Sequence, residues 1–92
     1  MGSEAARSIL IFPENRLRLA HLLMRNGFKV RMHGYEYLVA YGSMFLCLIL
    51  LQPSENTVLI REFKWIKESS KLVERIIGLI KTLDAASRII VY

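Results

Sequence analysis

Two groups of cations, one of them built around a tryptophan, are the features of this sequence best suited to chemistry. Arg16, Arg18, Arg25, Lys29 and Arg31 fall within one stretch that reads as a helix followed by a strand. Lys64, Lys67 and Lys71 flank a strand-to-helix turn, with Trp65 among them. Guanidinium and ammonium groups neutralise phosphates, and an exposed aromatic ring offers a face on which a base can stack. All eight cations are therefore candidate nucleic-acid ligands, and Arg18, Lys29 and Arg31 are the first to test. Glu62, Glu68 and Glu74 are interspersed with the second group and dilute its charge. Charges that merely solvate the outer faces are the alternative reading.

Little else could carry a reaction. His21 and His33 have no second acid near them and read as surface histidines rather than a metal pair. Ser43 stands in YGSMF, which lacks the Gly-x-Ser-x-Gly of a nucleophile elbow. The glycines are scattered and form no phosphate-cradling loop. Cys47 is the lone cysteine, which rules out a disulfide framework and a Cys-based zinc site. It lies in the most apolar stretch and reads as an inert core thiol. Met24, Met32 and Met44 read as packing residues. No cofactor and no metal are expected.

The elements that must hold these side chains fit into one small domain. The chain has 92 residues, of which 53% are hydrophobic, enough for a real core. Its 13 Lys+Arg against 8 Asp+Glu give a net charge of +5, a balance suited to a polyanionic partner. The longest apolar run, Met44–Leu51, is far short of the ~20 residues of a spanning helix, so no membrane partner is expected. Residues 1–6 read as a flexible lead without the features of a signal peptide, and a cytoplasmic protein is the default.

Arg7–Phe12 (RSILIF) reads as a short strand stopped by Pro13. Pro13 and Glu14 open a helix over about 14–26, with Leu19, Leu22, Leu23 and Asn26 on one face and Gly27 just past its end. Phe28–His33 alternates cleanly and predicts a strand. Glu36–Tyr41 follows as a second. Met44–Leu51 is apolar on both faces and is expected to be a fully buried central strand. Thr57–Lys64 is a further strand, residues 70–84 a second helix with a broad apolar stripe, and Arg88–Tyr92 a final strand. The predicted order is β-α-β-β-β-β-α-β, a single α/β domain with a mixed central sheet flanked by two helices.

The helix ENRLRLAHLLMRNG leading into FKVRM, the apolar strands YLVAYG and FLCLILLQ, and the closing ERIIGLIKTLDAASRIIVY together give this order a familiar look. Over roughly residues 13–92 it resembles the α-β-β-β-α-β core of the PD-(D/E)XK nucleases, the restriction-endonuclease-like fold, and is similar in particular to the archaeal Holliday junction resolvases. Enzymes of that family hold a divalent metal between an Asp and a Glu on adjacent strands and use a nearby Lys. In the ungapped alignment those places fall to Tyr37, Leu50 and Gln52, and Glu14 alone matches an acid of the family. The family's long loop before the Asp is reduced to His33-Gly34-Tyr35-Glu36. The resemblance therefore implies a pseudo-nuclease. A rival registration uses Glu62-Phe63-Lys64 as the Glu-x-Lys, with Glu55 or Glu36 as a second carboxylate, and would give an active metal-dependent endonuclease.

The resemblance implies an archaeal, DNA-linked setting. The expected role is a non-catalytic, basic accessory subunit of a DNA replication or repair complex, such as a DNA polymerase holoenzyme, that contacts DNA, a larger protein, or both. A protein-only interaction module is a further alternative. Tyr35, Tyr37 and Tyr41, with Trp65, are candidates for an apolar protein interface or dimer contact, and core packing is the other reading of the tyrosines. The resolvase family is dimeric, so a homodimer is also open.

Overall fold

The computed structural model describes residues 7–92, so the expectation for residues 1–6 lies outside the described part. The α/β class, the order of elements from the first helix onward and the mixed sheet all agree with the sequence. Helix α1 spans Pro13–Arg25 and helix α2 spans Ser69–Leu83. The strands are β1 Lys29–His33, β2 Glu36–Tyr41, β3 Met44–Gln52, β4 Thr57–Glu62 and β5 Arg88–Val91. They form one sheet in the order β1-β2-β3-β4-β5. The first four are antiparallel neighbours, and β5 runs parallel to β4. A parallel neighbour needs a crossover, and α2 supplies it. No helix among the described residues is long and apolar enough to cross a membrane.

Local chemistry explains the turns. Gly34 and Gly42 each take a φ of +63° at the first position of a two-residue hairpin loop, the φ pattern of a type II′ turn. Helix α1 stops in a Schellman arrangement: the Phe28 N–H donates to the Leu23 carbonyl and the Gly27 N–H to that of Met24. Gly27 sits there at φ +95°, a conformation side chains resist.

The segment expected as a first strand is instead a 3₁₀ turn, Ile9–Ile11. Its backbone is satisfied locally. The Ser8 hydroxyl accepts from the Leu10 N–H, and the Phe12 N–H donates to the Ile9 carbonyl. Only Leu10 plunges into the core, while Ile11 and Phe12 stay exposed, so the apolar run never acquires the period of a strand. A buried carboxylate ties the segment down. Asp84 Oδ2, just after α2, accepts from the hydroxyls of Ser8 (2.5 Å) and Ser87 (2.6 Å). Asn56, at the turn into β4, accepts from the Ser8 N–H through its side chain and from the Arg88 N–H through its carbonyl.

Both helices lie on one face of the sheet. Leu19, Ala20 and Leu23 of α1 and Val73, Ile76 and Ile80 of α2 join Tyr37, Val39, Cys47, Ile49, Leu51, Val58 and Ile60 in one core. Strand β3 is central, as expected, but the described residues cover it on one face only. Leu48 and Leu50 point to the other face and are half-buried, so the expectation of a strand buried on both sides is corrected. A bulge in β3 lets the adjacent residues Leu46 and Cys47 both turn inward: the register steps from Val39↔Cys47 to Ala40↔Phe45. Met24 and Met44, expected as packing residues, are exposed.

Candidate nucleic-acid and protein interfaces

The first group of cations does not form one surface. Arg18 and Arg25 are exposed on α1, in the helical layer. Lys29 and Arg31 alternate with the half-buried Val30 and Met32 on β1 and so point to the opposite side of the molecule. Arg16 is built into the packing of the N-terminal segment. Its guanidinium donates to the carbonyls of Leu10 (2.9 Å) and Ile11 (3.0 Å) and lies 4.3 Å from the centre of the Tyr35 ring. It is a clamp, which removes it from the set of cations held out to solvent.

The second group lies close together in sequence around one aromatic stack. Trp65 is 61% exposed and stacks on the half-buried Phe63, with ring centres 5.0 Å apart and planes within 16°. Lys64 precedes Trp65 and Lys67 and Lys71 follow it in sequence, all three exposed, with the exposed Glu68 among them. The loop is held at each end. The Phe63 N–H donates to the Leu46 carbonyl of β3, so the stack begins where the sheet ends. On the helix side, the Ser69 N–H donates to the Ile66 carbonyl, and the Ser69 and Ser70 hydroxyls donate to Glu62 Oε2 at 2.6 and 3.3 Å. An exposed aromatic face and exposed lysines in one loop are what stacking on a base and pairing with a phosphate need.

The tyrosines do not assemble a patch. Tyr37 is fully buried under α1, where its hydroxyl donates to the Arg16 carbonyl at 2.7 Å. Burial pushes that hydroxyl above its ordinary pKa, and the charge of Arg16 opposes the shift. As a core residue Tyr37 offers nothing to a partner, which corrects its place among the interface candidates. Tyr35 and Tyr41 are exposed at opposite ends of β2, about 20 Å apart along the strand. Tyr35 lies under Arg16, and Tyr41 meets Phe28 at 5.8 Å between ring centres.

The positions compared with a nuclease site do not converge. Tyr37 pairs with Ile49 and faces the helices, whereas Leu50 and Gln52 face the other way. In the rival registration Glu62 pairs with Cys47 on the helix side, Glu36 pairs with Leu50 on the far side, and Glu55 lies at the opposite end of β4. Among the described residues, no group of three or more His, Cys, Asp or Glu side chains could hold a metal ion. Cys47 is buried, and desolvation, aided by the Glu62 carboxylate, pushes its thiol from an ordinary 9.0 up to about 12.

The largest feature that sequence reasoning missed is the uncovered face of the sheet. Leu38, Ala40, Leu48, Leu50 and Leu59 make its half-buried floor, and Lys29, Arg31, Arg61 and Arg88 stand exposed around it. The signal was present: β3 is apolar at every position of its inner stretch, yet the described residues supply only two α-helices to cover two faces.

No family model, curated protein or solved structure matches the chain.

Proposed function

We propose that this chain is a non-catalytic, basic accessory domain of a DNA replication or repair assembly, touching single-stranded nucleic acid at the loop 63–67 and a larger protein elsewhere. The observation that carries this reading is Trp65, stacked on Phe63 and exposed between Lys64 and Lys67. An exposed indole is costly to solvate, and here it is stacked on Phe63 rather than tucked in. Stacking contributes about 1–3 kcal/mol per base, and each lysine adds a salt-dependent increment. The commitment of Glu62 to two serine hydroxyls at the start of α2, away from Glu36 and Glu55, supports a binding role over cleavage. Nuclease ancestry is not required for this role. The degenerate resolvase-like scaffold of the resemblance, α-β-β-β-α-β over roughly residues 13–92, has one strand fewer between its helices than the observed order.

Trp65 is the chain's only tryptophan, so its emission reports directly on this loop. Titration with a single-stranded oligonucleotide should quench the emission, with affinity falling as salt rises. Unchanged emission at low salt would leave the protein-only module, which the uncovered sheet face favours independently. Divalent-metal-dependent cleavage of branched DNA that disappears in Glu62→Gln would establish the nuclease reading instead.

A further inference from the structure

The face of the sheet turned away from the helices has the composition of a surface that is covered in use. In register, Arg31, Leu38, Leu48 and Arg61 form one cross-strand row. His33, Glu36, Leu50 and Leu59 form the next, which Ile90 extends onto β5. Lys29 and Ala40 lie opposite each other and lead to the exposed Phe45. The middle is aliphatic and the border is cationic: Lys29 and Arg31 on β1, Arg61 on β4 and Arg88 on β5. Glu36 is the one acid in these rows.

That charge pattern selects among occupants. A second copy would bring a second set of cations against the first with only its own Glu36 in exchange, and like charges set together at an interface are unfavourable. A nucleic acid would use the cations but not the floor, which offers leucines where bases need ring faces. An acidic amphipathic helix uses both. With side chains a helix is about 10–12 Å across. The cation columns on β1 and β4 are three strand spacings apart, about 14 Å. A helix laid along β2 and β3 would cover Leu38, Leu48 and Leu50 with its apolar stripe, and acids on its two shoulders would meet Arg31 and Arg61. It would complete a third layer, opposite α1 and α2.

We propose that the uncovered face of the sheet is a docking site for an amphipathic helix of a partner protein, with an apolar stripe bordered on both sides by Asp or Glu. The inference rests on the protein-contacting half of the reading above and gives it a location and a chemistry.

The test uses the isotope-labelled full chain and a designed Leu–Glu amphipathic peptide of about 18 residues, five helical turns. A Leu–Lys peptide of the same pattern is the control. The Leu–Glu peptide should shift the amides of Leu38, Leu48, Leu50 and Leu59, and the Leu–Lys peptide should leave them in place. Arg31→Glu with Arg61→Glu should weaken binding about tenfold. Arg31→Gln with Arg61→Gln, which adds no new charge, should weaken it less and serves if the first pair fails to fold. No shift with the Leu–Glu peptide, or equal binding of both peptides, overturns the proposal. So does movement of the same amides by a single-stranded oligonucleotide, or their burial in a self-dimer. Quenching of Trp65 by nucleic acid is read at another site, so it separates failure of this inference from failure of the DNA contact.

Discussion

Arg31 and Arg61 stand in the same cross-strand row on the uncovered face of the sheet, with Leu38 and Leu48 between them. Each arginine has an aliphatic neighbour rather than a carboxylate opposite it. Leu48 and Ile49 are adjacent in sequence and lie on opposite sides of β3, so they should differ sharply in what they contribute to the isolated domain. Ile49→Ala should cost about 2–4 kcal/mol, because it leaves a cavity beneath the helices. Leu48→Ala should cost less than about 1 kcal/mol, since water or neighbouring side chains reach the site. Urea unfolding of the two variants checks this, and equal losses would mean that the second face is covered too.

Much of the fold is legible in the sequence because period and punctuation agree. Pro13, Gly27, Gly34 and Gly42 mark ends that φ requirements fix, and the strand alternation in Phe28–His33 is clean. The N-terminal segment reads wrongly as a strand because short apolar runs look alike whether they form strands or 3₁₀ turns. Its outcome depends on Asp84 and Asn56, which are distant in sequence. Tyr37 reads wrongly as an interface residue for a similar reason. Tyr35, Tyr37 and Tyr41 share a parity, and only the position of α1 decides which of them is buried. That both helices choose one face, the fact on which the docking site depends, is a matter of topology that neither helix's own pattern encodes.

The Asp84 cluster makes a prediction about stability. Its carboxylate accepts from two buried hydroxyls, and removing it leaves both without that acceptor. Asp84→Ala should cost about 2–3 kcal/mol, and Ser8→Ala about 1 kcal/mol. Thermal or urea denaturation of each variant measures the losses. The larger should be accompanied by faster amide exchange at Leu10, whose N–H is capped by Ser8. Native-like stability in Asp84→Ala would show that the N-terminal turn is held by Leu10 packing alone.

Cys47 predicts the alkaline limb of stability. Its thiol is pushed up to about 12 in the folded chain, whereas in the unfolded chain it ionises near its ordinary 9.0. Between those values the unfolded state has lost a proton that the native state keeps. Stability is therefore intact below pH ~9 and falls as pH rises above it, by at most about 1.4 kcal/mol per pH unit from this group. Tyr37, also raised by burial, acts with the same sign at higher pH. Urea midpoints between about pH 8 and pH 10.5 should fall more steeply in the native sequence than in Cys47→Ala. The native thiol should also resist alkylation at neutral pH until the chain is unfolded. Parallel slopes for the two proteins would contradict the burial effect.

Trp65 separates binding from folding. The ring is exposed and its main partner is Phe63, so Trp65→Ala should leave the melting temperature within a few degrees. The same change should weaken single-strand binding at least about tenfold, the equivalent of one stacked base. Lys64→Gln with Lys67→Gln should instead flatten the salt dependence, by roughly 0.7 in slope for each phosphate no longer neutralised. Binding is followed by the anisotropy of a labelled oligonucleotide, since the first variant has no tryptophan. Unchanged affinity in Trp65→Ala would remove stacking from the contact.

The most direct test of the nucleic-acid contact is an amide-shift map of the labelled chain titrated with a single-stranded oligonucleotide at low salt. The expected result is a set of shifts confined to Phe63–Lys71, with the indole N–H of Trp65 among the largest, and quiet amides at Leu38, Leu48 and Leu50. No shifts in Phe63–Lys71, or shifts centred on the leucine floor of the sheet, would contradict it.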